Sequence, residues 1–149
     1  MKKLLLCMAV GIFGCAMAPQ EPQEVVSYEY SYRACMMHPL YTYHVQKDEE
    51  GRQILVWTKL DGVEHSVVLE EDVLGKIGQI AKEHRLSRMK ENYYPHVDIR
   101  DGYSWTIRIR FNAGKSIYAD GQNAYPRQIQ RDGIDAINNY LEGFLPQKD

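Results

Sequence analysis

Between residues 26 and 34 the chain alternates. Val26, Tyr28, Tyr30, Tyr32 and Ala34 fall on one side, and Ser27, Glu29, Ser31 and Arg33 on the other. A period of two is the signature of a half-buried strand, because successive side chains point to opposite faces of a sheet. Tyr41, Tyr43 and Val45 repeat the pattern against Thr42, His44 and Gln46. The run Asp48-Glu49-Glu50-Gly51 reads as a turn. Ile54, Leu55, Val56 and Trp57 then form a third apolar run, within 52–58. Asp61-Gly62 is a hairpin signal, since Gly tolerates the positive φ that tight hairpin turns demand, and it predicts a returning strand over 63–69.

The period changes after residue 70. Val73, Leu74, Ile77, Ile80 and Ala81 recur at helical spacing. Glu70, Glu71 and Asp72 are expected in the first turn, where the helix dipole favours negative charge, and Lys82, His84 and Arg85 at the opposite end. Gly75 and Gly78 each weaken a helix by about 1 kcal/mol relative to Ala. Two in one helix predict close approach of its backbone to a neighbour. Residues 87–100 show no period. From Tyr103, the residues Trp105, Ile107, Ile109 and Phe111 alternate with Ser104, Thr106, Arg108 and Arg110, the clearest strand of the chain. A turn at 112–115 predicts a partner strand over 116–119. Pro126 is expected to open a last helix, at the position where its missing N–H costs nothing. Ile134, Ile137, Leu141, Phe144 and Leu145 supply the apolar stripe of that helix. The order of elements predicts an α+β domain: an antiparallel sheet of about six strands with both helices packed on one face.

The N-terminus follows a different pattern. Lys2 and Lys3 precede a stretch, 4–18, without any charge. Fifteen residues are short of the ~20 that span a bilayer as a helix, and a basic start before a short apolar run reads as a signal peptide. Ala16-Met17-Ala18 offers a small-x-small cleavage site, but Pro19 follows it directly. Ile12-Phe13-Gly14-Cys15 offers the alternative. It resembles the lipobox of bacterial lipoproteins, with Phe13 in place of the usual small residue. That resemblance implies acylation of Cys15 and retention at the cell envelope, most naturally the outer membrane. The chain then divides into a signal peptide (1–14), a lipidated cysteine with a Pro/Gln/Glu tether (15–24), one domain (25–145) and a short tail (146–149).

A second resemblance lies in 101–126, DGYSWTIRIRFNAGKSIYADGQNAYP. Asp101, Gly102, Trp105, Phe111, Gly114, Gly121, Asn123, Tyr125 and Pro126 are similar to a pattern in uncharacterised small lipoproteins of Bacteroides-type bacteria. There an Asp-Gly turn, an aromatic strand and a Gly-x-Asn-x-aromatic-Pro step precede a closing helix. The likeness implies a shared fold and an envelope location, and no activity.

Charge and chemistry narrow the function classes. The 149-residue chain holds 18 Lys and Arg against 20 Asp and Glu, a formal net charge of -2. Removing Lys2 and Lys3 with the signal leaves 16 against 20, or -4. A binder of nucleic acid that neutralises phosphates needs a clustered basic excess, so no nucleic-acid partner is expected. The five histidines form no His-x-x-x-His pair, and no Gly-x-Ser-x-Gly elbow surrounds Ser104 or Ser116. Asp98, Asp101 and Asp120 read as turn formers. No catalytic residue, cofactor or metal is assigned. Cys35-Met36-Met37-His38 is soft-ligand chemistry suited to copper, but it has no second cluster to complete a site and reads first as a buried strand end.

Tyrosine is the informative residue: 11 Tyr against 3 Phe. It joins apolar area to a polar tip, which suits half-exposed sheet faces and binding surfaces. The stripe Tyr28, Tyr30 and Tyr32, with Tyr41 and Tyr43 beside it, reads as the core side of the sheet. The loop residues Tyr93, Tyr94 and Tyr125 are the candidates for ligand contact. The expectation is a membrane-anchored, non-enzymatic envelope lipoprotein that binds a protein or glycan partner. The alternatives are a small envelope hydrolase without a recognisable motif and a periplasmic metal handler using Cys35, Met36, Met37 and His38. The anchor is directly testable. Cys15→Ser is expected to release the protein from the membrane pellet in cell fractionation, and retention of the variant after a high-salt wash contradicts it.

Overall fold

The alternating stretches become strands and the 3.6-period stretches become helices. The structure, a computed structural model, describes residues 23–34, 41–97, 99 and 102–146. Cys15, its tether up to Pro22, the 35–38 cluster, Asp98 and Asp101 lie outside the described residues. In chain order the elements are β1 (Val25–Ala34), β2 (Tyr41–Lys47), β3 (Gln53–Thr58), β4 (Glu64–Leu69), α1 (Val73–Glu83), β5 (Asn92–Tyr93), β6 (Tyr103–Phe111), β7 (Ile117–Gln122) and α2 (Gln128–Glu142). A 3-10 turn at Leu86–Arg88 follows α1.

One seven-stranded sheet runs in the order β4-β3-β2-β1-β6-β7-β5. All neighbours are antiparallel except β5, which adds two residues in parallel to β7. That short strand is the difference from the expected six: two residues carry no period. The sheet's middle strand is β1, paired with β2 on one side and β6 on the other.

Both helices cover one face, over a single core. Tyr28, Tyr43, Val45, Leu55, Trp105, Ile107, Ile109 and Ala119 from the sheet meet Val73, Leu74 and Ile77 from α1 and Ile134, Ile137 and Leu141 from α2. The tyrosine stripe of β1 does face the core, with Tyr28 and Tyr30 buried and Tyr32 half-buried. Among the described residues the other face of the sheet carries no helix, and it is polar at its centre, where Glu29 meets Arg108 and Arg110 at 3.5 and 3.1 Å.

Three local expectations change. Val26 is exposed and Val25 buried, because a register shift between Val25 and Ser27 inserts one residue and reverses the alternation there. The acids do not enter the first turn of α1. Asp72 is its N-cap and accepts from the Gly75 N–H at 3.0 Å, while Glu70 and Glu71 precede it. Gln53 joins this cap from β3, donating to Asp72 Oδ1 and accepting from the Leu74 N–H, both at 2.8 Å. Pro126 stands before α2 rather than in it; the helix begins at Gln128 with Arg127 as N-cap. Gly78 meets its expectation, since a Cβ there would lie 3.1 Å from Val25 Cγ2.

Trp105 is buried, at 1% exposed, and its packing constrains the strand beside it. Gly121 lies directly across from it in β7, and any Cβ there would collide with the indole. The indole N–H passes over this notch and donates to the Ala124 carbonyl at 2.8 Å. Gly102 performs the same service for Asn123, whose side-chain oxygen accepts from the Tyr103 N–H at 2.8 Å. Truncating a buried Trp typically costs about 3–5 kcal/mol. Trp105→Ala is therefore expected to lower the midpoint of chemical unfolding strongly, and a parent-like midpoint contradicts its structural role.

Candidate functional site

The aromatic side chains at one end of the helix-covered face form a continuous row. It begins with Tyr41 on β2, which stands opposite Tyr32 on β1. Their rings stack at 5.2 Å between centroids and 15° between planes. Tyr32 stacks in turn on Tyr103 of β6 (5.9 Å, 18°), and Tyr103 on Tyr125 from the loop before α2 (5.0 Å, 25°). Tyr125 closes the row over Trp105 at 5.8 Å and 4°. Tyr32 and Tyr41 stand opposite each other on strands about 4.8 Å apart, which brings their rings into stacking distance, while Tyr103 is diagonal to Tyr32, opposite Ala34. The rings thus cover one another's faces, and the row presents ring edges and hydroxyl tips.

Helix α2 forms the wall of this row. Arg131, Asp135, Asn138 and Glu142 recur at i, i+4, i+7 and i+11, one stripe of the helix. The Arg131 guanidinium lies 4.2 Å from the centre of the Tyr125 ring, a cation–π contact, and 3.9 Å from Asp135. Asn138 accepts from the Tyr28 hydroxyl at 2.7 Å, and Glu142 from the Tyr43 hydroxyl at 2.9 Å. Beyond Tyr41 the row opens into a pocket of about 280 Å³ lined by Tyr41, Tyr43, Lys59, Leu60 and Glu142. Burial is the first cause that holds the phenols of Tyr41 and Tyr103 above their ordinary range. It pushes Tyr125 up to about 12, with Tyr32 and Tyr103 adding to the effect. Burial also raises the Asp135 carboxyl, against the opposing pull of Arg131.

The three loop tyrosines singled out from the sequence do not converge. Tyr125 is a member of the row. Tyr93 packs on Trp105 at 5.7 Å, outside the row, and its hydroxyl accepts from the Lys90 N–H. Tyr94 is 58% exposed and turns to the opposite side of the sheet, where its hydroxyl donates to Asp120 at 2.8 Å. That hydrogen bond is the main cause raising the Tyr94 phenol. Tyr32, Tyr41 and Tyr103, read from the sequence as core or strand residues, are half-buried here and make up most of the row. Their half-exposure follows from position. They sit at or near strand ends, at the rim of the core, and alternation alone does not distinguish a strand's end from its middle. Among the described residues, the hydroxyls of Tyr32, Tyr103 and Tyr125 are used in no hydrogen bond. Also among the described residues, no three His, Cys, Asp or Glu side chains gather in a metal-like group, and no helix is long and apolar enough to cross a membrane.

The raised phenols carry a pH dependence of definite sign. A group whose pKa is higher in the fold than in the unfolded chain supports the fold fully below its unfolded value, near 10 for Tyr, and that support is lost as pH rises through the folded value. The unfolding midpoint is therefore expected to fall between about pH 10 and 12. Phenolate absorbance of the folded protein should lag behind that of the unfolded chain over the same window, and coincident titration curves contradict the burial of the row.

No family model, curated protein or solved structure matches the chain.

Proposed function

We propose that the chain is a cell-envelope lipoprotein, anchored at the outer membrane through Cys15, whose domain is a non-enzymatic module that binds a protein or glycan partner along the tyrosine row. The observation that carries this reading is the row itself. Four half-buried tyrosines and a guanidinium lie side by side along the polar stripe of α2, and three of the hydroxyls have no partner among the described residues. Tyr and Arg supply large contact area and directional hydrogen bonds at small conformational cost, which is why they concentrate at binding centres. The pocket at the Tyr41 end gives the row a place to seat an apolar group. The anchor is supported by the lipobox-like residues 12–15 and by an uncharged run too short to span a bilayer.

Affinity capture from native envelopes tests the site. The triple variant Tyr32→Phe, Tyr103→Phe, Tyr125→Phe keeps every ring and removes three hydroxyls. Each net hydrogen bond contributes about 0.5–1.5 kcal/mol, so capture should weaken by about tenfold or more while the melting temperature stays near the parent's. Tyr94→Phe, on the other side of the sheet, should bind as the parent does. Undiminished capture by the triple variant places the site elsewhere. Turnover of an envelope glycan or peptide by the purified protein, lost on changing one Asp or His, overturns the non-enzymatic reading.

A further inference from the structure

The two edges of the sheet differ. One is the two-residue β5. The other is β4, six residues long, paired in unbroken register with β3 and, among the described residues, with no strand on its outer side. Natural edge strands are commonly guarded by charged side chains, Lys above all, by Pro, by a bulge or by a covering element. The residues from 60 to 75 contain no Lys, Arg or Pro, and the β3–β4 register shows no shift. Glu64, His65, Ser66 and Val68 are exposed, and Leu60, Val63 and Val68 present 81%, 52% and 48% of their surface.

Charge indicates what this edge accepts. Exposed acids stand at both ends: Asp61 and Glu64 before the strand's centre, Glu70 and Glu71 after it. A second copy of the chain fits poorly. Opposed residues of an antiparallel pair share a face, so self-pairing centres on Ser66 or on Val67. The second sets Glu64 opposite Glu70, and the first brings the acidic turn at Asp61 of one copy beside Glu70 and Glu71 of the other. We infer that the open edge of β4 is a second binding surface, which takes as an added strand an extended peptide segment with an alternating apolar centre and basic ends. Its backbone would pair with β4. Its apolar side chains on the uncovered face would continue the row Val68, Ile54, which stand opposite each other in β4 and β3. Its basic ends would meet the two acidic pairs. The mode is strand addition, in which main-chain hydrogen bonds give affinity and alternate side chains give selectivity.

Amide hydrogen exchange of the full chain, with synthetic peptides as probes, tests this. The first probe is a decapeptide of alternating Val and Thr with paired Lys at each end. It should slow exchange within 64–69. The same peptide ended by Glu should bind about tenfold more weakly. The Lys-ended peptide with alternate backbone amides N-methylated on the pairing side should not protect the strand at all. Glu64→Lys together with Glu71→Lys leaves one acid and one Lys at each end of the strand, and should abolish the preference between the Lys-ended and Glu-ended peptides. Tyr125→Phe should leave all of this unchanged, which separates the edge from the tyrosine row. The proposal is overturned by protection that survives N-methylation, by equal binding of the two charged forms to the parent chain, or by a dimer in sedimentation whose own 64–69 amides are already protected.

Discussion

The seating of one indole governs the geometry of the domain's aromatic end. Trp105 lies flat against the backbone of Gly121, and its N–H bonds to the carbonyl of Ala124. A buried indole N–H left unpaired would cost on the order of 1–3 kcal/mol, so the position of Ala124 is fixed by the need to satisfy it. Fixing Ala124 fixes its neighbours. Asn123 holds a positive φ of 53° and reaches back to the start of β6, and Tyr125 is laid parallel on the indole. The chain then enters α2 from a set direction. Register, loop and helix entry are thus one coupled arrangement, and the tyrosine row is its outward side.

Tyrosine serves this protein in two ways at once. The ring of Tyr28 fills the core while its hydroxyl bonds to Asn138, and Tyr43 does the same toward Glu142. Each is a polar link between sheet and helix across an otherwise apolar layer. Apolar packing alone would let a helix rotate about its axis at small cost, because it has no direction. The two hydroxyl contacts, one turn apart on α2, remove that freedom. They therefore also set where Arg131 and Asp135 stand relative to Tyr125. The preference for Tyr over Phe in the composition is accounted for partly by this need for directional contacts inside the fold.

Much of the fold was legible because its elements obey their periods. The alternation at 103–111 and the helical spacing from Val73 to Ala81 are long enough to decide the element without tertiary help. The failures are of another kind. The bulge at Val25 to Ser27 and the strand Asn92–Tyr93 depend on what neighbouring strands require, and nothing local announces them. Pro126 does not mark the helix start, because proline is as compatible with the loop before a helix as with its first residue. The site was legible only in part. Tyr125 stands out in the sequence because it lies in a loop. Tyr32, Tyr41 and Tyr103 do not, because alternation reports which face a side chain takes, not how fully its neighbours cover it. The nine residues of the 101–126 pattern gain a partial physical account. Gly102, Trp105, Gly121, Asn123 and Tyr125 form one interlocked packing unit, a reason for those residues to occur together that involves no ligand.

The chain enters the domain through the sheet's middle strand rather than at its rim. Glu24 and Asn112 exchange hydrogen bonds at this entry, tying it to the hairpin between β6 and β7. β1 runs antiparallel to both of its neighbours, and their hydrogen bonds lie across its axis. Tension drawn along the strand from its first residue therefore loads both ladders in shear, many bonds together, instead of peeling one bond at a time from an end. A domain pulled by the chain ahead of Gln23 would resist as a whole sheet. Mechanical strength in that single direction is a property of the topology, independent of how stable the fold is to heat or denaturant.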